Sequence, residues 1–247
     1  MGDEQASSPE VVHYERDGKV AVITLDRPPV NAYTARMHTQ LERAWRRAEL
    51  DDDAAVVVLR AEGKHFCGGA ELKPSAQDRA DDAGERVSAA GEWRSTRDIP
   101  KPTIAAVQGA CVGGGQRMVW PCDLIFCSED AFFRDPLVQF GVGGIQSHGH
   151  TWAYGPRLAK EMLFTGNPIP AMRLYQMGMV NRVVTRDRLD AETMEAAHQI
   201  AEMPAFGLRQ AKRAVNTTMD IMGQHYILSR MEELLDGFDM SALHPES

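Results

Sequence analysis

Short runs of β-branched and apolar residues alternate with segments of helical period along most of this chain, and that alternation restricts the fold more than any single motif does. "VVHYERDGKVAVITLD" (residues 11–26) holds two strand-like runs around Asp17-Gly18, a hairpin signal. "RPPVNAYTARMHTQLERAWRRAEL" passes from a proline-broken turn into a helix that repeats Met37, Leu41, Ala44, Trp45 and Ala48 on one face. "AAVVVLRAEG" has the composition of a buried strand bounded by Gly63. "TIAAVQGA" (103–110) and "CDLIFCSED" (122–130) read as further strands. After Gly149, "PRLAKEMLFTG" reads as a helix closed by Gly166, "AMRLYQMGMVNRVV" as a helix leading into one more strand, and residues 190–237 as largely helical. The prediction is an α/β core followed by a helical C-terminal segment that packs on it or on a neighbouring subunit.

At 247 residues the chain can bury a sizeable core. No stretch approaches the ~20 uninterrupted apolar residues of a membrane helix. The acidic start, "MGDEQASSPE", lacks the basic and apolar regions of a signal peptide and reads as a disordered tail over residues 1–10. Position 6 is Ala6, where a myristoylation motif wants Ser or Thr. A cytoplasmic location, with no membrane partner, is expected. The formal net charge of -8 argues against a nucleic-acid partner but is compatible with an anionic small ligand held by local cations and main-chain amides. Cys67, Cys111, Cys122 and Cys127 form no CxxC pair and read as small buried residues of a reducing compartment, without a metal role.

Glycines 113 to 115 stand between apolar runs, where each costs about 1 kcal/mol relative to alanine in a regular element. "GACVGGGQ" lacks the spacing of a dinucleotide-binding turn, and the chain contains no GxxxxGK[ST]. A second glycine turn, "HFCGGAELK" (65–73), also follows a buried strand. Two such turns can each aim one N–H at a shared oxygen, forming an oxyanion hole; the alternative is that each is only a tight turn.

With "LDRPPVNAYTARMHTQL", "FCGGAELK", "KPTIAAVQGACVGGG", "CDLIFCSEDAFF", "LFTGNPIPAMRLYQMGMVNRVV" and "QAKRAVN" in this order, the chain resembles the crotonase, or enoyl-CoA hydratase/isomerase, superfamily over most of residues 11–235. The resemblance implies a spiral of ββα units over residues 11–189 and a shortened helical trimerisation segment over 190–247. It also implies a homotrimer or hexamer, and an acyl-coenzyme A thioester as ligand with no separate cofactor. By position it makes the main-chain N–H groups of Ala70 and Gly114 the oxyanion donors, with Gly69, Leu72, Lys73 and Gly113 lining the thioester site. Only glycine at 113 to 115 is expected to leave room for the thioester.

The chain departs from that pattern where the hydratases place two water-activating glutamates: these positions hold Arg117 and Leu137. Arginine stays protonated and leucine has no proton chemistry, so ordinary two-glutamate hydration is not expected. Asp135 reads either as a general base, or a group orienting one, or as a surface aspartate paired with Arg134. An aspartate at a similar place occurs in divergent relatives that cleave β-diketones, resembling 6-oxocamphor hydrolase. His148 and His150, in the glycine-flexed segment "GGIQSHGHTW", are proton shuttles or exposed loop residues. Arg117 offers charge to an enolate or forms a structural ion pair. Glu71 reads as surface, and His65 is undecided. The C-terminal helix that helps cover coenzyme A in many members is not matched; Lys73, Lys101 and Lys212 remain as phosphate-binding cations or as solvated lysines. The reaction is isomerisation, variant hydration or carbon–carbon hydrolysis, or else the chain is a non-catalytic thioester-binding paralogue.

Overall fold

The computed structural model describes residues 10–75, 78–79, 96–141 and 148–227, without the side chain of His148. The expected tail, apart from Glu10, and residues 228–247 lie outside the described residues.

Strands β1 (Val12–Asp17) and β2 (Val20–Leu25) form the expected hairpin, with Asp17 opposite Val20 and Gly18 at φ +57° in the turn. Helix α1 (Ala35–Leu50) follows, its first turn capped by the Thr34 side chain accepting from the Met37 amide at 3.2 Å. Its predicted apolar face, Met37, Leu41, Ala44, Trp45 and Ala48, is buried throughout. The next strands are β3 (Val56–Ala61), β4 (Thr103–Val107) and β5 (Ala110–Val112), then the short helix α2 (Gly114–Val119), β6 (Leu124–Ser128) and β7 (Phe132–Arg134). The remaining elements are α3 (His148–Thr165), β8 (Ile169–Pro170), α4 (Ala171–Gln176), β9 (Arg182–Val184), α5 (Leu189–Ala201) and α6 (Ala205–Ile221).

Six strands make one sheet in the order β1-β2-β3-β4-β6-β9, parallel except for the opening hairpin. Because side chains alternate across a strand, Val20, Val22, Val56 and Val58 pack on one face beneath α5, while Ala21, Ile23, Val57 and Leu59 join the larger core with α1. Burial on both faces explains the near-continuous apolar runs.

The second sheet, β5-β7-β8, positions the site. Residues 103–110, expected as one strand, are divided: the chain turns at Gly109 (φ +56°), leaves the large sheet and pairs β5 in parallel with β7. Composition did not expose this, because Gln108 is itself buried, its amide donating to the carbonyl of Ala61 at 2.6 Å.

Helix α3 begins at His148 rather than near Pro156, with a break at Gly155 (φ 73°) that hides the early turns from a periodicity reading. Position 150, expected in a loop, is therefore helical. Lys101 and Lys212 are not free cations. The first donates to the carbonyls of Ala48 and Asp51 at 2.7 and 2.6 Å, and the second to Asp123 at 2.7 Å and the Lys101 carbonyl at 3.0 Å. All four cysteines are buried and free, as expected.

Candidate functional site

The first glycine turn lies alongside the second sheet. The backbone at Cys67 pairs in parallel with that at Cys111, the Cys67 amide donating to the Ala110 carbonyl at 2.9 Å and the Val112 amide to the Cys67 carbonyl at 3.0 Å. On its other side Ala70 bridges Tyr33. The parallel pattern uses the neighbours of Ala70: the Tyr33 amide donates to the Gly69 carbonyl at 2.8 Å and the Glu71 amide to the Tyr33 carbonyl at 3.0 Å. The N–H of Ala70 therefore has no hydrogen-bond partner among the described residues. Asn31 pins the Tyr33 segment, its side-chain amide donating to the carbonyls of Glu62 and His65, each at 2.9 Å.

The glycine triplet forms the second turn. Gly113 adopts φ 51° and donates its N–H to the Arg134 carbonyl at 2.9 Å. Gly114 is the first residue of α2, where an amide has no acceptor within the helix, and its N–H is also unpartnered among the described residues. Gly115 packs on the first turn: a Cβ there would stand 2.7 Å from the Cβ of Cys67. The expectation that all three glycines clear space for a ligand needs correcting. Gly113 supplies a backbone angle, Gly114 lies against Tyr33, and Gly115 lets the two turns touch.

Register then carries the chain to Asp135 and His150. Val112 pairs with Arg134, so the residue after each strand, Gly113 and Asp135, leaves the same end of the sheet. Asp135 is not an exposed partner of Arg134; it is 3% exposed, its Oδ1 accepts from the Leu137 amide at 3.0 Å, and its Oδ2 lies 3.2 Å from Nε2 of His150. Arg134 instead donates to the Gly166 carbonyl at 2.6 Å and to Gln139 at 3.1 Å. The His150–Asp135 contact is within ion-pair distance, although the ring N–H is not aimed closely enough at the oxygen to make a hydrogen bond. Nδ1 of this 1% exposed imidazole has no partner among the described residues. Such a group is costly to bury without a partner. Trp120 packs edge-on against the ring, centroids 4.6 Å apart.

Sequence reasoning missed Gln116, Trp120 and Tyr154, which back this wall. The indole N–H of Trp120 donates to the Tyr154 oxygen at 2.9 Å, and the Tyr154 hydroxyl donates to Oε1 of Gln116 at 2.7 Å. Burial pushes the Tyr154 hydroxyl well above its ordinary pKa and keeps it a donor. The one visible signal is the polar pair Gln116-Arg117 entering an otherwise apolar stretch.

The other predicted residues are dispersed. Arg117 is partly exposed, its guanidinium 5.8 Å from the Tyr33 ring centroid. Leu72 and Lys73 are exposed beside the first turn. Glu71, expected at the surface, is half-buried and bonded to Arg27 at 2.9 Å; an N–H from Lys73, together with that guanidinium, holds its carboxyl below the usual range. His65 is structural: its Nδ1 accepts from the Ala110 amide at 3.1 Å. His148 opens α3, and the expectation for its side chain lies outside the described residues. Among the described residues no three His, Cys, Asp or Glu side chains are grouped to hold a metal, and no helix is long and apolar enough to cross a membrane. A surface hollow of about 330 Å³ lined by Glu129, Met172, Val183, Val184, Thr185 and Arg188 includes no residue of either turn.

Fold and site together define a class: a mixed α/β enzyme fold of the crotonase superfamily, with paired glycine turns opening onto one end of its second sheet. The chain belongs to the enoyl-CoA hydratase/isomerase family, whose model matches residues 15–239. It is 37% identical over 246 residues to EchA13 of Mycobacterium tuberculosis, described as a candidate enoyl-CoA hydratase, covering 87% of this chain and 76% of that one. It is 35% identical over 201 residues to the (7aS)-7a-methyl-1,5-dioxo-2,3,5,6,7,7a-hexahydro-1H-indene-carboxyl-CoA hydrolase of the same organism, covering 80% of each. A solved structure of a probable enoyl-CoA hydratase from Mycobacterium smegmatis superimposes with a TM-score of 0.81 at 47% identity, covering 91% of both chains.

Proposed function

We propose that the protein binds an acyl-CoA thioester and stabilises its enolate between the N–H groups of Ala70 and Gly114, with Asp135 and His150 handling the proton. The observation that carries this reading is the pair of unpartnered amides on two touching turns, linked through Gln116, Tyr154 and Trp120 to a buried imidazole whose Nδ1 is unpartnered. The Asp135 carboxylate facing Nε2 favours the tautomer with its proton there, leaving Nδ1 as the base. Nδ1 takes a proton from the α-carbon, and the C–H electron pair moves into the enolate with charge on the thioester oxygen. The two amides hold that charge, and the proton returns to carbon at the end of the conjugated system or at the α-position. Removal of one such donor generally costs on the order of 3 kcal/mol of transition-state stabilisation. Gly69, Gly113, Leu72 and Lys73 line the approach. Coenzyme A enters as part of the substrate.

In this reading the two-glutamate hydration route is absent, since Arg117 and Leu137 stand where it would need carboxylates. The similarity to a CoA-linked dione hydrolase favours a second reading, in which the same imidazole deprotonates water for attack on a β-carbonyl and the cleaved bond's electrons form the enolate. Incubation with enoyl-CoA, 3-oxoacyl-CoA and cyclic β-diketone CoA esters, followed by mass spectrometry, separates these outcomes. An isomer keeps its mass and shifts in retention time, hydration adds water to the enoyl ester, hydrolysis splits the 3-oxoacyl ester into an acid and a shorter acyl-CoA or adds water to the cyclic diketone, and binding without turnover identifies a non-catalytic paralogue. Self-association as a trimer or hexamer is part of the proposal, supported by α6, which buries none of its residues and exposes Phe206, Val215 and Ile221.

A further inference from the structure

Gln116 is a primary amide with no exposed surface, in a helix whose other buried residues are glycine and apolar side chains. A buried amide destabilises unless both its ends are satisfied, and here both are. Its Nε2 donates to the Arg134 carbonyl at 2.9 Å, the carbonyl that also accepts the Gly113 N–H at 2.9 Å. Its Oε1 accepts from the Tyr154 hydroxyl at 2.7 Å. One carbonyl thus receives two donors from the glycine turn. The next residue on one side of that junction is Gly114, and on the other Asp135.

The far end of the network closes on the same place. Tyr154 accepts from the Trp120 indole at 2.9 Å, and that indole meets His150 edge-on. Tyr154 lies one helical turn beyond His150 in α3. The contacts therefore span from the residue preceding one amide donor to both members of the acid–base pair, on three elements that share no local sequence. In a thioester the carbonyl oxygen and the α-carbon are separated by one intervening carbon, so an oxyanion donor and a base must hold their spacing to within about 0.5 Å to act on the same substrate.

We propose that Gln116, oriented by Tyr154, is a positioning residue that sets the distance between the Gly114 N–H and the His150–Asp135 pair. The inference rests on the enolate reading above.

Acetoacetyl-CoA is the probe, because its enolate absorbs in the near ultraviolet and reports carbonyl polarisation without turnover. The wild-type protein is compared with Tyr154→Phe, which deletes one oxygen atom, and Gln116→Leu, with folding checked by thermal melting. In Tyr154→Phe the apparent pKa of enolisation of the bound probe is expected to rise by about one unit, a roughly tenfold loss of enolate at fixed pH. The dissociation constant should change less than about threefold, since the main-chain amides still bind the ground state. Gln116→Leu should show the larger shift of the two. An unchanged enolate fraction in folded Tyr154→Phe overturns the positioning role. Wild-type protein that binds the probe but leaves its enolisation as in free solution overturns the oxyanion reading itself, and this inference with it.

Discussion

Nε2 of His150 stands 3.2 Å from Oδ2 of Asp135, with the two side chains 1% and 4% exposed. The pair joins the first turn of α3 to the residue just past β7, and the carboxylate is further held by the Leu137 amide. A carboxylate fixed in this way sets a negative charge against the imidazole. Asp135→Asn and His150→Phe are each expected to reduce turnover by about 10²- to 10⁴-fold, the usual contribution of general acid–base catalysis. Acetoacetyl-CoA should bind with nearly unchanged affinity. Full activity in both variants, measured on whichever ester of the panel is consumed, removes the pair from the mechanism.

The main-chain donors are tested by removing an N–H without removing a side chain. Ala70→Pro leaves intact the two hydrogen bonds that join this turn to Tyr33, because those come from Gly69 and Glu71. Gly114→Pro is the matching change in the second turn. Each is expected to lower kcat/KM by about 10²-fold or more, corresponding to the loss of one oxyanion donor. A variant that folds and retains wild-type kcat/KM excludes its amide.

Gly115→Ala introduces a methyl group 2.7 Å from the Cβ of Cys67, between two backbones that have little room to move. Overpacking of this kind typically costs 1–3 kcal/mol, roughly the range expected from urea unfolding. Gly63→Ala is an unsuitable comparison because its φ is +81°, whereas Gly207→Ala, within α6, meets no atom within 4 Å and should raise stability by up to about 1 kcal/mol.

His65 links pH to stability. Burial, followed by the charges of Lys64 and Arg186, lowers its pKa below 6.5, and its Nδ1 must stay unprotonated to accept from the Ala110 amide. The unfolded chain therefore binds this proton more readily than the folded one. Its contribution to stability is fully present above pH ~6.5 and declines as pH falls through that value towards the folded pKa. Urea midpoints measured at pH 7.5 and pH 5.5 should differ less in His65→Asn than in the wild type. An equal difference would assign the acid sensitivity elsewhere.

On α6, Phe206 is 66% exposed and Ile221 is 82% exposed, and helical geometry sets them about 60° apart on one side of the helix. If this face meets a second subunit, light scattering should give a trimer or a multiple of one, and Phe206→Asp together with Ile221→Asp should shift the population to smaller species. A monodisperse monomer in the wild type would overturn self-association.

The hairpin at Asp17-Gly18, the buried face of α1 and the strand at Val56–Ala61 were legible because each is written in neighbouring residues whose spacing matches a backbone period. The glycine turns were legible as turns. Less visible was the division of residues 103–110 at Gly109, since a change of sheet leaves no change of composition. The helical start at His148 was obscured by Gly155-Pro156. Local sequence does not reveal that Glu71, Lys101 and Lys212 are engaged, because their partners come from distant segments, among them Arg27, Ala48 and Asp123.

By itself the sequence determined the family, the alternation of strands and helices, and the two turns able to offer amides, all of them properties of short contiguous stretches. Tertiary structure alone decided which polar side chains share an enclosed space. It brought His150 to Asp135, and it joined Gln116 to Tyr154 across 38 positions of chain. The physical reason is that backbone preference acts over a few residues, whereas the burial of a charge or an amide depends on whichever partner the packed sheets deliver to it.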